Sequence, residues 1–129
     1  MERKLQLVSG ELLPQVPSRD KVLNIESKHY YRIFMNQDKT FAFFDLDTFV
    51  SPIPMELFQI KLSHRIQITC MDGIKRENLK KEAYSICDSV GGQISYLVSS
   101  ISKELIGSHI VLPPHLNQKC FEEISINNE

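Results

Sequence analysis

The clearest pattern in the chain is a run of β-branched and aromatic residues from Tyr30 to Met35, interrupted by Asn36-Gln37-Asp38-Lys39 and resumed from Thr40 to Phe44. Two such runs around a polar tetrapeptide predict a β-hairpin. A further strand is expected over 48–53, carrying Phe49 and Val50 and ending near Pro52, because proline cannot donate to a central ladder. Residues 65–70 alternate, with Ile66, Ile68 and Cys70 on one face and Arg65, Gln67 and Thr69 on the other. That is the pattern of a half-buried strand. Before the hairpin, Leu5 and Leu7 suggest a short edge strand, and Pro14, Pro17 and Ser18 mark an irregular lead-in.

Over 75–90 the period changes. Leu79, Ala83, Ile86, Cys87 and Val90 fall at i, i+4, i+7, i+8 and i+11, one apolar stripe, and predict a helix closed by Gly91-Gly92. Ile94, Tyr96 and Val98 alternate again and predict a strand over 93–98. A second strand is expected over 105–112, stopped by Pro113-Pro114, and Leu116, Cys120, Phe121 and Ile124 at helical spacing predict a short closing helix. Several short strands joined by tight turns favour a closed barrel over an open sheet, since closure removes exposed edges.

Length and composition narrow the setting. A chain of 129 residues is one domain, or one barrel with an appended subdomain, and 42% apolar residues supply a core. A net charge of −1 argues against a dedicated nucleic-acid binder. The ends of the sequence show no signal-peptide apolar region, and no apolar run approaches the roughly 20 residues of a membrane span. Cys70, Cys87 and Cys120 are odd in number and widely spaced, which fits a reducing compartment inside the cell, without a membrane anchor. With His29, His64, His109 and His115 they form no C-x₂-C or H-x₃-H pairing, and no Gly-rich phosphate loop is present, so neither a metal nor a cofactor is expected.

Two groups of residues attract a chemical reading. Asp45 and Asp47 end an apolar run, as in haloacid-dehalogenase-type phosphatases, whose Asp-x-Asp supplies a nucleophile and a general acid beside Mg²⁺. The next positions are Thr48-Phe49 where that chemistry has Gly-Thr, and no βαβ crossover follows, so the carboxylates are better read as shaping a bend. Tyr30, Tyr31, Phe41, Phe43, Phe44 and Phe49 crowd the hairpin. Aromatics at a barrel rim form cages for methylated cations, although packing in the barrel is the simpler account.

The order Tyr30-Tyr31-Arg32, Phe43-Phe44-Asp45, Val50, then Leu57 and Ile60 resembles a Tudor domain, and Ile68-Thr69-Cys70-Met71-Asp72-Gly73-Ile74 is similar to the next strand of extended Tudor domains. The resemblance covers about residues 22–125. It implies a mostly β fold with α: a Tudor-like (SH3-like) β-barrel over 22–70 after a lead-in of 1–21, a linker helix over 71–92, and a reduced staphylococcal-nuclease-like, OB-type subdomain over 93–129. Carried over residue by residue, the family's methylarginine cage falls on Ile25, Tyr31, Phe43, Leu46 and Thr48, with the family's turn glycine replaced by Asp47. Two aromatics remain, so the implied cage is degenerate.

The resemblance implies a non-enzymatic interaction scaffold in small-RNA (piRNA-type) silencing or germ-granule assembly, in cytoplasmic granules rather than the nucleus. Its partner would be a protein, an Arg-bearing peptide met by Asp45 and Asp47 or another silencing-pathway protein. RNA would be bound weakly or indirectly, and the oligomeric state stays open. Two other classes compete. One is a nucleic-acid-binding OB-like module, whose phosphates would meet Lys75, Arg76, Lys80 and Lys81, diluted by Glu77 and Glu82. The other is an Asp45/Asp47 phosphohydrolase.

Overall fold

A computed structural model describes residues 2–12, 24–53, 58–107 and 109–124. The lead-in prolines Pro14 and Pro17, Ser18 and Leu57 lie outside the described residues. Four long strands come first: β1 (Glu2–Leu12), β2 (Asn24–Met35), β3 (Phe41–Ile53) and β4 (Phe58–Thr69). Three helices come next, α1 (Arg76–Lys81), α2 (Ala83–Asp88) and α3 (Gly91–Ile106). A 3₁₀ turn (Gln118–Cys120) leads into the last strand, β5 (Phe121–Glu123). The strands make one sheet in the order β1-β4-β3-β2-β5, antiparallel except for the parallel β2–β5 pair. The fold is therefore β-rich α+β. The sheet is open, with β1 and β5 outermost, and the closed SH3-like barrel expected from the sequence is not formed among the described residues. The physical reason is strand length. Strands of 11 to 13 residues build a broad sheet whose one face the helices can cover, so closure is not needed to bury it.

Alternation with period two decides which face is covered. Ala42, Phe44, Leu46, Thr48 and Val50 of β3 are buried, as are Phe58, Ile60, Leu62, His64 and Ile66 of β4. The hairpin lies where the alternation put it. Asn36 closes it, its Oδ1 accepting from the Thr40 and Phe41 N–H groups at 2.9 and 3.0 Å, while Lys39 takes φ +56°. No bend occurs at Asp45 and Asp47. They are same-face residues two apart in the continuous strand β3, so two strands and a bend become one strand.

The helical half departs most from the sequence reading. The single helix over 75–90 is broken at Glu82 into α1 and α2, and Gly91-Gly92 open α3 rather than end a helix. The strand expected over 93–98 is helix: Ile94, Val98 and Ser102, at i, i+4 and i+8, are buried, whereas Tyr96, which a strand would set beside Ile94 and Val98, is 70% exposed. Gly107 caps α3 in the left-handed region at φ +76°, and 109–112 carry no strand. The closing helix is a 3₁₀ turn leading into β5. Gly91 is required by packing, since a Cβ there would collide with the Pro114 carbonyl oxygen. Asp88 holds that neighbouring segment by accepting from the Leu116 N–H at 2.8 Å and pairing with His115 at 2.9 Å.

Two histidines lie in this core. His29 on β2 meets the Thr48 hydroxyl at 3.0 Å, and His64 on β4 meets Gln93 Oε1 of α3 at 3.0 Å. The second nitrogen of each has no hydrogen-bond partner among the described residues. Burial pushes the His29 imidazole down from its ordinary 6.5 to about 4, against a weaker upward pull from Asp88, and lowers His64 as well.

This packing makes stability depend on pH and on one glycine. The native His29 refuses a proton that the unfolded chain takes up below pH 6.5, so stability falls as pH drops from 6.5 towards 4. That window is worth about 3 kcal/mol, and urea melts across it will show a shallower loss for His29→Gln than for the parent chain; parallel curves would remove His29 as the cause. Gly91→Ala will cost roughly 1–3 kcal/mol, whereas Gly92→Ala, with nothing within 4 Å of the added methyl, will be neutral or stabilising by up to about 1 kcal/mol. Thermal denaturation of the two variants checks the contrast, and equal effects would show that the Pro114 approach is not a constraint.

Candidate functional site

The sheet separates the residues expected to form one site. Tyr31, Leu46 and Thr48 point into the helix-covered core. Tyr31 stacks on Phe121 of β5 at 4.7 Å, and Thr48 is engaged by His29. Ile25, half-buried, helps line a cleft of about 290 Å³ with Ser27, His29, Ile94, Leu112 and Leu116. Phe43, Asp45 and Asp47 lie on the opposite, helix-free face. Tyr31 and Phe43 are thus on two sides of one sheet, and the five positions do not come together as a cage.

The helix-free face is internally paired. Arg65 of β4 donates from Nε and Nη2 to the two Asp45 oxygens, at 2.8 and 3.1 Å. Its guanidinium lies 4.1 Å from the centre of the Phe43 ring, which stacks on Phe34 at 5.0 Å. The Ser63 hydroxyl donates to Asp47 at 2.6 Å, and Tyr30 meets the edge of Phe49, over which Lys61 sits at 5.5 Å. Asp45 does hold an arginine, but it is the chain's own: the register sets Arg65 opposite Asp45 and Phe34 opposite Phe43, so Arg65 reaches the Phe43 ring on the diagonal. Carboxylates so engaged are cross-strand ties. Among the described residues no three His, Cys, Asp or Glu side chains are grouped to hold a metal ion. Burial pushes the Cys87 thiol up to about 12, which makes it a packing residue.

A different constellation forms beside β2. After β4 the chain crosses the end of the hairpin, the Cys70 N–H donating to the Thr40 carbonyl at 2.8 Å and the Ile74 N–H to the Lys39 carbonyl at 2.7 Å. The crossing brings α1 to the outer side of β2, where Arg76 Nη2 reaches the Ile33 carbonyl at 3.4 Å. There β5 pairs with β2 only at His29, Tyr30 and Tyr31, extended by one bond from the Ile124 N–H to the Tyr31 carbonyl at 2.8 Å. Among the described residues no strand pairs with 32–35 on that side.

Two clefts share Ile74 and Lys75 as a wall, and one of them, through Met35, adjoins this edge. One, of about 360 Å³, is apolar, with Ile68, Cys70, Leu79 and Ile86. The other, of about 660 Å³, adds Met35, Lys39, Arg76 and Glu77. Met71, in the crossing segment, is 84% exposed. From the sequence these residues were visible only as separate groups: Lys75 and Arg76 with Lys80 and Lys81, Ile68 with Cys70 on one strand face, and Leu79 with Ile86 on one helix stripe. Met35, Lys39 and Ile74 meet only through the crossing, which no local pattern announces.

No protein-family model matches the chain, and no curated protein does. The fold is shared with a SecB-like chaperone of Mycobacterium tuberculosis, solved in complex with a ChAD peptide from the HigA1 antitoxin, at a TM-score of 0.71 over 88% of this chain and 86% of that one. Sequence identity is 9%, so the likeness is one of fold. It overturns the Tudor and nuclease-like resemblance, because a single open sheet with its helices accounts for nearly the whole chain. The expectations of piRNA-type silencing and germ-granule assembly fall with it, and granule localisation and an Arg-bearing ligand on Asp45 and Asp47 lose the resemblance that implied them. The OB-like nucleic-acid module and the Asp-x-Asp phosphohydrolase fall too, since neither fold is present. Among the described residues no helix is long and apolar enough to cross a membrane.

The Asp45–Arg65 tie is checked by a double-mutant cycle. With side chains 26% and 39% exposed, Asp45→Ala and Arg65→Ala should couple by about 0.5–1 kcal/mol in urea denaturation. Strict additivity would mean that the pair contributes nothing in solution.

Proposed function

We propose that this domain binds an extended segment of a partner protein, without catalysis, by taking it up as a strand alongside residues 32–35 of β2. The observation that carries the reading is that β5 already demonstrates the mode. A three-residue segment pairs in parallel with β2 and leaves the next stretch of the same edge without a strand among the described residues. An exposed sheet edge offers main-chain hydrogen bonds to any sequence, and pockets alongside it select side chains. Here the pocket alongside the edge is the cleft of Met35, Lys39, Ile74, Lys75 and Arg76, with Met35 and the exposed Met71 as adaptable apolar surfaces. That a chaperone of similar fold was solved with a peptide supports the same class of ligand for this chain, and a chaperone is not an enzyme.

Amide exchange tests it. A short apolar peptide added in excess will slow exchange at Ile33 and Met35, and Met35→Glu will weaken binding roughly tenfold, about 1.4 kcal/mol. Saturable binding that leaves these amides unprotected would place the ligand elsewhere and sink the strand-addition reading.

A further inference from the structure

The charges around the β2 edge select among extended segments. The cleft beside residues 32–35 is walled by Lys39, Lys75 and Arg76 against one carboxylate, Glu77. The chain as a whole carries −1, so this patch is opposite in sign to the molecule. Asp38 and Asp72, in the adjoining turns, do not line the cleft. Lys39 and Lys75 are exposed and make no ion pair among the described residues.

β5 supplies an internal template for what the edge accepts. Its last residue, Glu123, opposite Tyr31, sets its carboxylate 3.9 Å from Arg76 Nη2 and 3.7 Å from Lys80 Nζ. Side chains two apart on a strand point to the same side. A segment continuing this parallel pairing along 32–35 would therefore present alternate side chains to the same cationic edge, towards Lys75 and Lys39. The side chains between them would face away from it. Arg76 links the two kinds of contact, since one guanidinium lies against both the Ile33 carbonyl of the edge and the Glu123 carboxylate.

We infer that the partner segment is acidic and apolar, an extended strand with Asp or Glu at the alternate positions that face the cleft of Lys39, Lys75 and Arg76 and apolar residues between them. The inference rests on the strand-addition reading and adds the chemistry of the ligand to it. Charge complementarity of this kind sets partner choice and encounter rate more than total affinity.

Two short peptides with identical apolar positions, one with Glu and one with Lys at the alternating polar positions, are titrated against the full chain at low and high salt. The Glu peptide should bind roughly tenfold tighter, about 1.4 kcal/mol, with the difference shrinking as salt screens it. Lys75→Glu and, separately, Lys39→Glu, both at exposed positions, should erase the preference without weakening the Lys peptide. Equal binding of the two peptides, or preference for Lys, would overturn the acidic assignment and leave strand addition standing. If neither peptide binds, strand addition itself fails. A short oligothymidylate that binds where the Glu peptide does not would overturn the assignment in favour of phosphate recognition.

Discussion

Everything in this domain depends on the strict two-residue alternation of β3, which like β4 is bonded on both sides by other long strands. Its even-numbered residues from Ala42 to Val50 are buried and its odd-numbered ones are not, and the registers with β2 and β4 carry the same division outward. A slip of one residue would place Asp45 and Asp47 under the helices and Phe44 and Leu46 in water. Each large apolar side chain so exposed would forfeit roughly 1.5–3 kcal/mol, and each buried carboxylate would need a partner the core does not hold. The cross-strand ties on the open face enforce the same register, because Arg65 can grip Asp45 only when those two residues are directly opposite.

This constraint explains which parts of the fold were legible in the sequence. The β2–β3 hairpin and the β4 alternation were readable because their signal is local and has a single period. α3 was not. Ile94, Tyr96 and Val98 satisfy a period of two as well as Ile94, Val98 and Ser102 satisfy one of nearly four, and only the exposure of Tyr96 separates them. Gly91-Gly92 looked like a stop because glycine ends many helices. Here Gly91 is present for the close approach of Pro114, a contact 23 positions away that no local window contains. β5 is three residues long and pairs with a strand some 90 positions earlier, so nothing in its composition marks it.

The candidate site was hidden for a related reason. The order of motifs that resembled a Tudor domain describes one hairpin and the strand after it, and order does not fix how strands neighbour one another. Tyr31 and Phe43 are close in sequence, but residues 31 and 43 face opposite sides of the sheet, and that division alone splits the cage. Phe34, not singled out from the sequence, proved to be the stacking partner of Phe43. The basic cluster at 75–81 was visible and read against phosphate. Its placement beside an apolar cleft and an open strand edge gives the same charges a different use.

An open edge is a hazard as well as an opportunity, and the two sides of the sheet manage it differently. β1 carries a register shift between Leu5 and Leu7, a bulge that twists the strand, and the charged Arg3 stands exposed on it. The edge of β2 is interrupted by α1, with Arg76 reaching towards the Ile33 carbonyl at 3.4 Å, long for a hydrogen bond and therefore readily exchanged. A backbone carbonyl served by a long guanidinium contact is solvated enough to deter unselective pairing, yet an arriving N–H can displace that contact at small cost. The same guanidinium then remains beside the incoming strand as a counter-charge. Protection of the edge and choice of the segment that takes its place are thus two consequences of one side chain, Arg76, at the end of the crossing that β4 begins.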